Sequence, residues 1–203
     1  TDLIKLDVAI KNIPQINVKV FEFCPENYYL KENREIEGTM NLDGLITAEE
    51  YNYDFNEPTG KRLIKTFSFD SIQQKERGIF IIDMVGNGMS ARAVIRKGKL
   101  SLLEKSNVAG QAFFIVDENK NICKGGRTGL WIKGKFYEAD KRGEIFIDYS
   151  SSGAGSNKTV LVHNDFAELT DIDIKGESYE FKCAYLYTEE TFLMGNKARI
   201  LIQ

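Results

Sequence analysis

The sequence has little of what metal sites and catalytic relays need. Its 203 residues include one histidine and three cysteines, Cys24, Cys123 and Cys183, whose wide spacing excludes the paired CxxC motifs of zinc sites. An odd number of cysteines cannot pair completely within one chain. Cys24 ends an apolar run and Cys183 lies inside one, so we expect both to be buried and Cys123, in a polar loop, to be exposed. The count leaves the redox compartment and any disulfide pairing open.

Long apolar runs and an excess of basic charge are also missing. No stretch reaches the roughly 18 to 20 apolar residues that a membrane span needs, and no charged-then-apolar signal peptide opens the chain. Lys and Arg number 27 against 30 Asp and Glu, and a net charge of −3 argues against a nucleic-acid partner. The chain opens on Thr1 rather than methionine, which favours an excerpt from a longer protein over a processed form.

What is present predicts a β protein. The composition, with 42% hydrophobic and 28% charged residues, is that of a globular chain long enough for one large or two ordinary domains. Short runs rich in Ile, Val, Phe and Tyr alternate with polar residues, and helical periodicity is limited to possible turns at 71–76 and 188–194. The predicted strands cover residues 3–10, 16–23, 45–55, 62–69, 78–85, 91–104, 110–117, 130–139, 143–149, 159–163 and 178–187.

Local patterns predict turns and core faces within these strands. The GNG at residues 86–88 is typical of an Asn-Gly hairpin turn. Alternation places Phe80, Ile82 and Met84 on one face of their strand and therefore in the core. The second set of core candidates is Ile145, Ile147 and Tyr149.

A polar, turn-rich segment at residues 104–110 predicts a boundary between two domains. We therefore expect an all-β chain of two consecutive antiparallel β-sandwich domains, at residues 1–104 and 108–187. Residues 188–203 are then a last strand or the start of a further domain. Whether residues 1–60 complete a domain of their own stays open.

The order of elements in the second half is more specific. FIVD at residues 114–117 is followed by LWI at 130–132 and then by an acidic turn from Asp140 to Gly143. Asp140 can cap that turn with its side chain and Gly143 can adopt positive φ, so residues 137–151 are predicted to form a sandwich hairpin.

These elements resemble the join between two macroglobulin-like domains, which are immunoglobulin-like sandwiches, in the α2-macroglobulin family. The resemblance covers roughly residues 65–203, and its central hairpin is also similar to carboxypeptidase-regulatory and transthyretin-like sandwiches. In the tail, Thr188, Phe192 and Gly195 occupy slots of the family's transition into a next domain. The departures from the family pattern are Glu189, Glu190 and Met194. The family's thioester run Gly-Cys-Gly-Glu-Gln is absent, so its chemistry is not carried over.

His163 is the one residue through which a Ser-His-Asp relay would have to run. It follows TVLV at the end of a predicted strand, and the chain contains no G-x-S-x-G elbow. We therefore predict a strand-end histidine and no enzyme. We expect neither catalytic residues nor a cofactor.

Acidic loops and tyrosine pairs support an alternative function, an adhesin-like module that binds carbohydrate or calcium. Residues 117–121 (DENKN) open like a calcium loop, but Ile122 and Thr128 stand where that loop needs glycine and glutamate. Asp171 and Asp173 share one strand face, which ordinary alternation also explains. The paired aromatics are Tyr28 with Tyr29, Tyr51 with Tyr53, and Tyr185 with Tyr187. Core or interdomain packing is the favoured interpretation for these tyrosines.

Two further surface sites are predicted. Asn157 begins an Asn-Lys-Thr glycosylation sequon in what reads as a small polar loop. A basic stretch forms either a solvated face or a docking patch for an acidic partner, and consists of Arg92, Arg96, Lys97 and Lys99.

The sequence thus predicts a non-enzymatic structural and interaction module of a larger, macroglobulin-like multidomain protein, extracellular or at the cell surface. The resemblance implies a role in protease trapping or defence. The expected partners are other domains of the same chain or other proteins, rather than nucleic acid or a small molecule. No metal site is expected.

Overall fold

The computed structural model describes residues 4–58, 60–150, 153–177, 180, 182–186, 194, 195, 197, 201 and 202. All named strand pairs in these residues are antiparallel, which confirms the predicted all-β class. The elements of the first half are β1 (Leu6–Lys11), β2 (Gln15–Phe23), α1 (Pro25–Glu32), β3 (Thr47–Asp54), β4 (Arg62–Phe67), α2 (Asp70–Gln74), β5 (Gly78–Gly86) and β6 (Met89–Lys97).

In the part of the second half that the structure describes there are nine strands. They are β7 (Ser101–Ser106), β8 (Gly110–Val116), β9 (Thr128–Ile132), β10 (Lys135–Glu138), β11 (Glu144–Asp148), β12 (Gly155–His163), β13 (Phe166–Ile174), β14 (Tyr185–Leu186) and β15 (Leu201–Ile202). None of the helices in the described residues is long and apolar enough to cross a membrane.

The first sandwich packs the β1-β4 ribbon against a four-stranded sheet with the order β3-β2-β5-β6. The alternating apolar residues of β2 and β5 fill the space between them, and the predicted core face of Phe80, Ile82 and Met84 is confirmed. Asn87 and Gly88 both have positive φ, 49° and 74°, and form the predicted turn between β5 and β6.

The second sandwich packs the sheet β10-β9-β12-β13 against the sheet β11-β8-β7. Its core includes Ile145 and Ile147, as predicted, together with Phe113, Leu130 and Leu161. Tyr149, the third residue of the predicted set, is only partly buried, and its hydroxyl donates to the Asn107 carbonyl at 2.6 Å. The segment predicted as a single strand over residues 130–139 is two strands, β9 and β10, joined by a tight turn.

The turn at residues 139–143 has the predicted chemistry but a different topological role. The Asp140 carboxylate accepts hydrogen bonds from the backbone of Arg142 and Glu144, both at 2.8 Å, and Gly143 has a φ of 85°. The prediction of a hairpin over 137–151 is wrong, because β10 and β11 belong to opposite sheets. The turn therefore crosses from one sheet of the sandwich to the other.

The predicted strand at 91–104 is likewise two strands, β6 in the first sandwich and β7 in the second. β7 pairs with β8 along its whole length, and Asn107 forms the turn between them. Sheet membership therefore changes between Lys97 and Ser101, before the segment that the sequence suggested. Where each domain ends as a folding unit stays a prediction.

The expectations for the three cysteines are wrong. Cys24 and Cys183 are exposed, whereas Cys123 is only 6% exposed, and all three are free thiols. Cys24 lies at the turn into α1, where the chain leaves the sheet. Cys123 is buried because its loop folds back along β8, with its N–H donating to the Ile115 carbonyl at 2.8 Å, and burial raises the pKa of its thiol.

Candidate functional site

The feature that organises the molecule is the junction between the two sandwiches, which is centred on helix α1. The chain leaves β2 of the first sandwich, enters α1 at Pro25 and packs the helix on β12 and β13 of the second. Proline is well suited to a first helical position because its missing N–H has no partner there. The helix ends at Asn33, whose φ of 51° is the left-handed conformation of a helix cap.

Glu26, in the first turn of α1, accepts three hydrogen bonds from the second sandwich. Its two carboxylate oxygens accept hydrogen bonds from the Arg127 guanidinium at 2.5 and 2.6 Å, and Trp131 Nε1 donates to one of them at 2.7 Å. Arg127 also lies over the Phe136 ring, 5.0 Å from its centroid. The Arg127 hydrogen bonds hold the pKa of Glu26 below its usual value. We call Glu26, Arg127 and Trp131 the Glu26 clamp.

Tyr29 lies one turn further along α1 and anchors the helix. Its side chain is 1% exposed, and its hydroxyl donates to Glu35 at 3.3 Å. Burial raises the pKa of Tyr29 well above its usual value. At the end of the helix, Lys158 Nζ of β12 donates to the carbonyl of Asn33 at 3.0 Å.

Two more contacts join the sandwiches away from α1. The N–H of Leu100, in the segment between β6 and β7, donates to the Glu168 carboxylate of β13 at 2.6 Å. Burial raises the pKa of Glu168. Arg77, just before β5, donates to Glu118 at 3.2 Å and to Asp117 at 3.4 Å.

The apolar core is continuous across this junction. Phe21, Ile79 and Ile81, on the outer face of the first sandwich, belong to the same cluster as Tyr29 and Leu161 of the second. Because apolar burial and charge-assisted hydrogen bonds act at the same contact, the two sandwiches are held together as one body.

The predicted docking patch is occupied by contacts within the chain. Arg92 donates to Asp83 and to the Met40 carbonyl, both at 2.7 Å. Arg96 donates to Glu35 at 2.5 Å, which fastens the loop after α1 to the sheet. Lys97 donates to the carbonyls of Ile72 and Gln73, both at 3.0 Å, and the Lys99 N–H contacts Glu118. A docking role for Arg92, Arg96, Lys97 and Lys99 stays a prediction.

His163 ends β12, as predicted, and its ring contacts no carboxylate within the described residues. Nδ1 lies 2.8 Å from Thr128 Oγ1, and Nε2 lies 3.4 Å from the Asn164 amide. Burial lowers the pKa of His163. This arrangement positions the ring, but it does not assemble a Ser-His-Asp relay.

The calcium-like loop at residues 117–121 uses its oxygens within the protein. Asp117 Oδ1 accepts hydrogen bonds from the N–H groups of Asn119 and Asn121 at 2.9 and 2.8 Å. Its other carboxylate oxygen, Oδ2, accepts a hydrogen bond from the Arg77 guanidinium at 3.4 Å. Among the described residues, no three His, Cys, Asp or Glu side chains converge as a metal site requires. Asp171 and Asp173 lie on the outer face of β13, exposed.

The tyrosine pairs lie against the cores. Tyr51 and Tyr53 pack on Phe69 and Phe67, with ring centroids 6.2 and 5.0 Å apart. Tyr28 makes an edge contact with Phe23, 5.6 Å away, beside buried Tyr29. The side chain of Tyr185, the whole of Tyr187 and the predicted helical turn at 188–194, apart from Met194, lie outside the described residues.

Asn157 lies within strand β12, whereas the sequence placed it in a loop. Its side-chain amide donates to the Gly155 carbonyl at 2.9 Å, and its backbone faces Ile172 of β13. Whether Asn157 is glycosylated stays a prediction.

Comparison with known proteins supports the sandwich architecture and adds a relative. Residues 16–98 match the family model described as the AbpF first immunoglobulin-like domain. This part of the chain is similar to that family and has an immunoglobulin-like sandwich fold. The whole chain is 32% identical, over 209 aligned positions, to Actin-binding protein F of Dictyostelium discoideum, and it spans 9% of the length of that protein. The chain is therefore homologous to a small part of a much longer protein.

The structure is also similar to crystal structures of Escherichia coli alpha-2-macroglobulin. One spans domains MG0-NIE-MG1, with 14% identity and a TM-score of 0.48 over 84% of this chain and 59% of that one. The other spans NIE-MG1, with 13% identity and a TM-score of 0.43 over 82% of this chain and 87% of that one. A structural similarity with a TM-score below 0.5 does not indicate a shared function.

The Glu26 clamp was not predicted from the sequence. Three features of the sequence could have indicated it, but only when considered together. They are Pro25 followed by Glu26 at the start of a helix, the single tryptophan Trp131, and Arg127 four residues before that tryptophan. No sequence spacing joins them, because about one hundred residues separate Glu26 from its partners, as the separations of 101 and 105 positions show.

Proposed function

We propose that this chain is a non-enzymatic structural and interaction module of an actin-associated protein, in which two sandwiches act as one body. The observation that carries the proposal is the 32% identity along the whole chain to a segment of a protein named for binding actin. The continuous core and the Glu26 clamp support it, because they hold surfaces on the two sandwiches in a fixed relation to each other.

Co-sedimentation with actin filaments tests the proposal. We expect the purified chain to appear in the pellet in a saturable manner when filaments are present and to stay in the supernatant without them. Adding unlabelled chain should displace labelled chain from the filaments. An equal pelleted fraction with and without filaments, or pelleting that never saturates, would count against a direct contact with actin.

An actin-associated role also bears on where the protein works. We infer a location beside actin filaments, inside the cell, in place of the extracellular location that the sequence favoured. Endoglycosidase treatment of the native protein distinguishes the two, because a mass shift that disappears in Asn157→Gln requires passage through the secretory route. We expect no shift.

The other roles considered from the sequence have less support. Protease trapping rests on the macroglobulin resemblance alone and stays a prediction. For the carbohydrate- or calcium-binding alternative, the tyrosines and the oxygens of the 117–121 loop already have partners within the chain. A thermal-unfolding titration with calcium and a glycan array test that alternative directly.

A further inference from the structure

The second sandwich is open along one side. β7 is the edge strand of one sheet and β13 the edge strand of the other, and an opening of about 440 Å³ lies between them. Side chains from the interior of the sandwich form its apolar floor, namely Leu102, Phe113 and Ile172. The opening thus lies between two strand edges, above the partly exposed Leu102 and the buried Phe113 and Ile172.

The edge of β13 already accepts amide groups at one end. The side chain of Gln111, which is fully buried, donates to the Asp173 carbonyl at 2.9 Å and accepts from the Lys175 N–H at 2.7 Å. Next to it, the Ser150 N–H donates to the Lys175 carbonyl at 2.9 Å, and the Glu177 N–H donates to the Ser150 carbonyl at 3.2 Å. These groups occupy the positions that a neighbouring strand would take.

At Leu169 and Asp171 the edge of β13 has no neighbouring strand among the described strands. In an antiparallel strand, alternate residues direct their N–H and C=O groups away from the paired neighbour. Because the Asp173 carbonyl points away from β12, the backbone groups of Leu169 and Asp171 point the same way. Within the described residues these groups have no hydrogen-bond partner. The Leu100 to Glu168 hydrogen bond closes the far end, so the open stretch is bounded on both sides.

The outer rim of this stretch carries two carboxylates, with Lys99 at its closed end and Lys158 of β12 opposite Asp171. Asp171 and Asp173 are exposed, and neither forms an ion pair with any part of the chain that the structure describes. Glu104 on the opposite edge is paired with Lys175 at 2.8 Å. An incoming strand therefore meets two unpaired negative charges on one side and an apolar floor on the other.

We propose that an extended segment of a partner protein, with alternating apolar and basic residues, adds to the edge of β13 as a fifth strand. Its inward side chains would pack on Leu102, Phe113 and Ile172, and its outward side chains would pair with Asp171 and Asp173. Main-chain hydrogen bonds supply affinity, and the charges and the floor supply selectivity. The binding of actin filaments is not required for this contact.

A charge-swap experiment tests the proposal. The probes are two fluorescein-labelled peptides, Lys-Val-Lys-Val-Lys-Val-Lys and Glu-Val-Glu-Val-Glu-Val-Glu, measured by fluorescence anisotropy. We expect the unaltered chain to bind the lysine peptide and the double variant Asp171→Lys/Asp173→Lys to bind it at least about tenfold more weakly while gaining affinity for the glutamate peptide.

The control for net charge is Asp43→Lys/Asp54→Lys, which alters two exposed carboxylates of the first half by the same total charge. It should change the affinity for the lysine peptide by less than about threefold, because neither residue lines the opening and exposed charges are screened. Equal weakening by both double variants would show a nonspecific charge effect and overturn the proposal. Failure of the lysine peptide to bind the unaltered chain would overturn it as well.

A second experiment tests the strand addition itself. Asp171→Pro removes an outward N–H without removing a bond to β12, whereas Asp171→Asn removes the same charge and keeps that N–H. We expect lysine-peptide binding in the asparagine variant and its loss in the proline variant, with amide resonance shifts at Leu102 and residues 169–173. Equal binding by two folded variants, or shifts confined to another surface, would contradict the proposal. If the proline variant fails to fold, the charge swap decides.

Discussion

At the scale of single residues, the junction depends on polar groups that are satisfied only when the two sandwiches are in contact. Glu26 illustrates this, since its side chain is 15% exposed and both of its oxygens accept hydrogen bonds from the second sandwich. A mostly buried carboxylate without those donors would lose its hydrogen bonds to water and make none within the protein to replace them. The contact therefore favours one arrangement of the two sandwiches.

Replacing Glu26 tests the strength of the clamp. Glu26→Gln removes the charge that Arg127 contacts and keeps an acceptor for Trp131. We expect the free energy of unfolding to fall by about 1–2 kcal/mol, because a charge-assisted pair is lost but Arg127 is partly exposed. Urea unfolding measures this. In the control Glu57→Gln, an exposed pair with Lys61 is lost and the effect should stay below about 0.5 kcal/mol. Equal effects would contradict a special role for Glu26.

Glu26 should also contribute to the loss of folding stability at acidic pH. The folded pKa of Glu26 is lowered by Arg127, so its stabilising effect is complete above the unfolded pKa of about 4.3. That stabilisation is lost as the pH falls through the folded pKa, where the carboxylate becomes protonated. Glu26→Gln should therefore lose less stability than the unaltered chain between neutral and acidic pH. Parallel pH profiles of the two proteins would contradict this.

His163 should give the folding stability a second pH dependence, at a higher pH than that of Glu26. Burial lowers its folded pKa, so below the unfolded pKa of about 6.5 the unfolded chain binds a proton that the folded protein does not. Stability should therefore decrease as the pH falls below that value, down to the folded pKa. Because His163 is the only histidine, His163→Gln should remove this component. Urea unfolding on both sides of about pH 6.5 measures it, and an unchanged slope in the variant would contradict it.

At the scale of elements, the sequence predicts strands well and their partners less well. Alternation located β5 and β11 and one buried face of each, because residues two apart along a strand share a face. It did not show that β5 also buries its other face, with Ile79 and Ile81, against the second sandwich. The turn at Asp140 was also predicted, since Asp and Gly fix its local geometry. Whether that turn joins strands of one sheet or crosses between sheets depends on contacts far along the chain, which local pattern does not contain.

The helix α1 was missed for a related reason. Its eight residues are too few to show a clear helical period, and it is stabilised by packing on β12 and β13 rather than by its own sequence. The cysteines were misplaced because burial of Cys123 depends on a loop folding back over β8. Both errors arise where tertiary contacts, rather than local preference, decide the structure.

A glycine in β9 tests how closely neighbouring strands approach. A Cβ on Gly129 would overlap the Tyr137 carbonyl oxygen and the Phe136 ring, whereas a Cβ on Gly155 would meet nothing within 4 Å. We expect Gly129→Ala to lower the free energy of unfolding by about 1–3 kcal/mol through overpacking. Gly155→Ala, in β12, should change it by less than about 0.5 kcal/mol. Thermal or urea unfolding of both variants measures the difference, and similar values would contradict this reading of the packing.

At the scale of the whole molecule, one apolar cluster extends from the first sandwich through α1 into the second. A shared core of this kind predicts that both halves unfold in a single transition. Trp131, the only tryptophan, lies in the second half and contacts Glu26 of α1, so its fluorescence reports on the junction. We expect its transition in urea to coincide with that of the far-ultraviolet circular dichroism of the whole chain. Two separate transitions would contradict the single-body description.

Tyr29 should decide whether the helix is what couples the halves. Tyr29→Ala removes a buried ring from the shared core and should cost about 3–5 kcal/mol, whereas Tyr28→Ala, on the same helix but only partly buried, should cost about 1 kcal/mol. If α1 is the coupling element, the Trp131 and circular dichroism transitions should separate in Tyr29→Ala and still coincide in Tyr28→Ala. Coincident transitions in a destabilised Tyr29→Ala would assign the coupling instead to the Leu100 to Glu168 and Arg77 contacts.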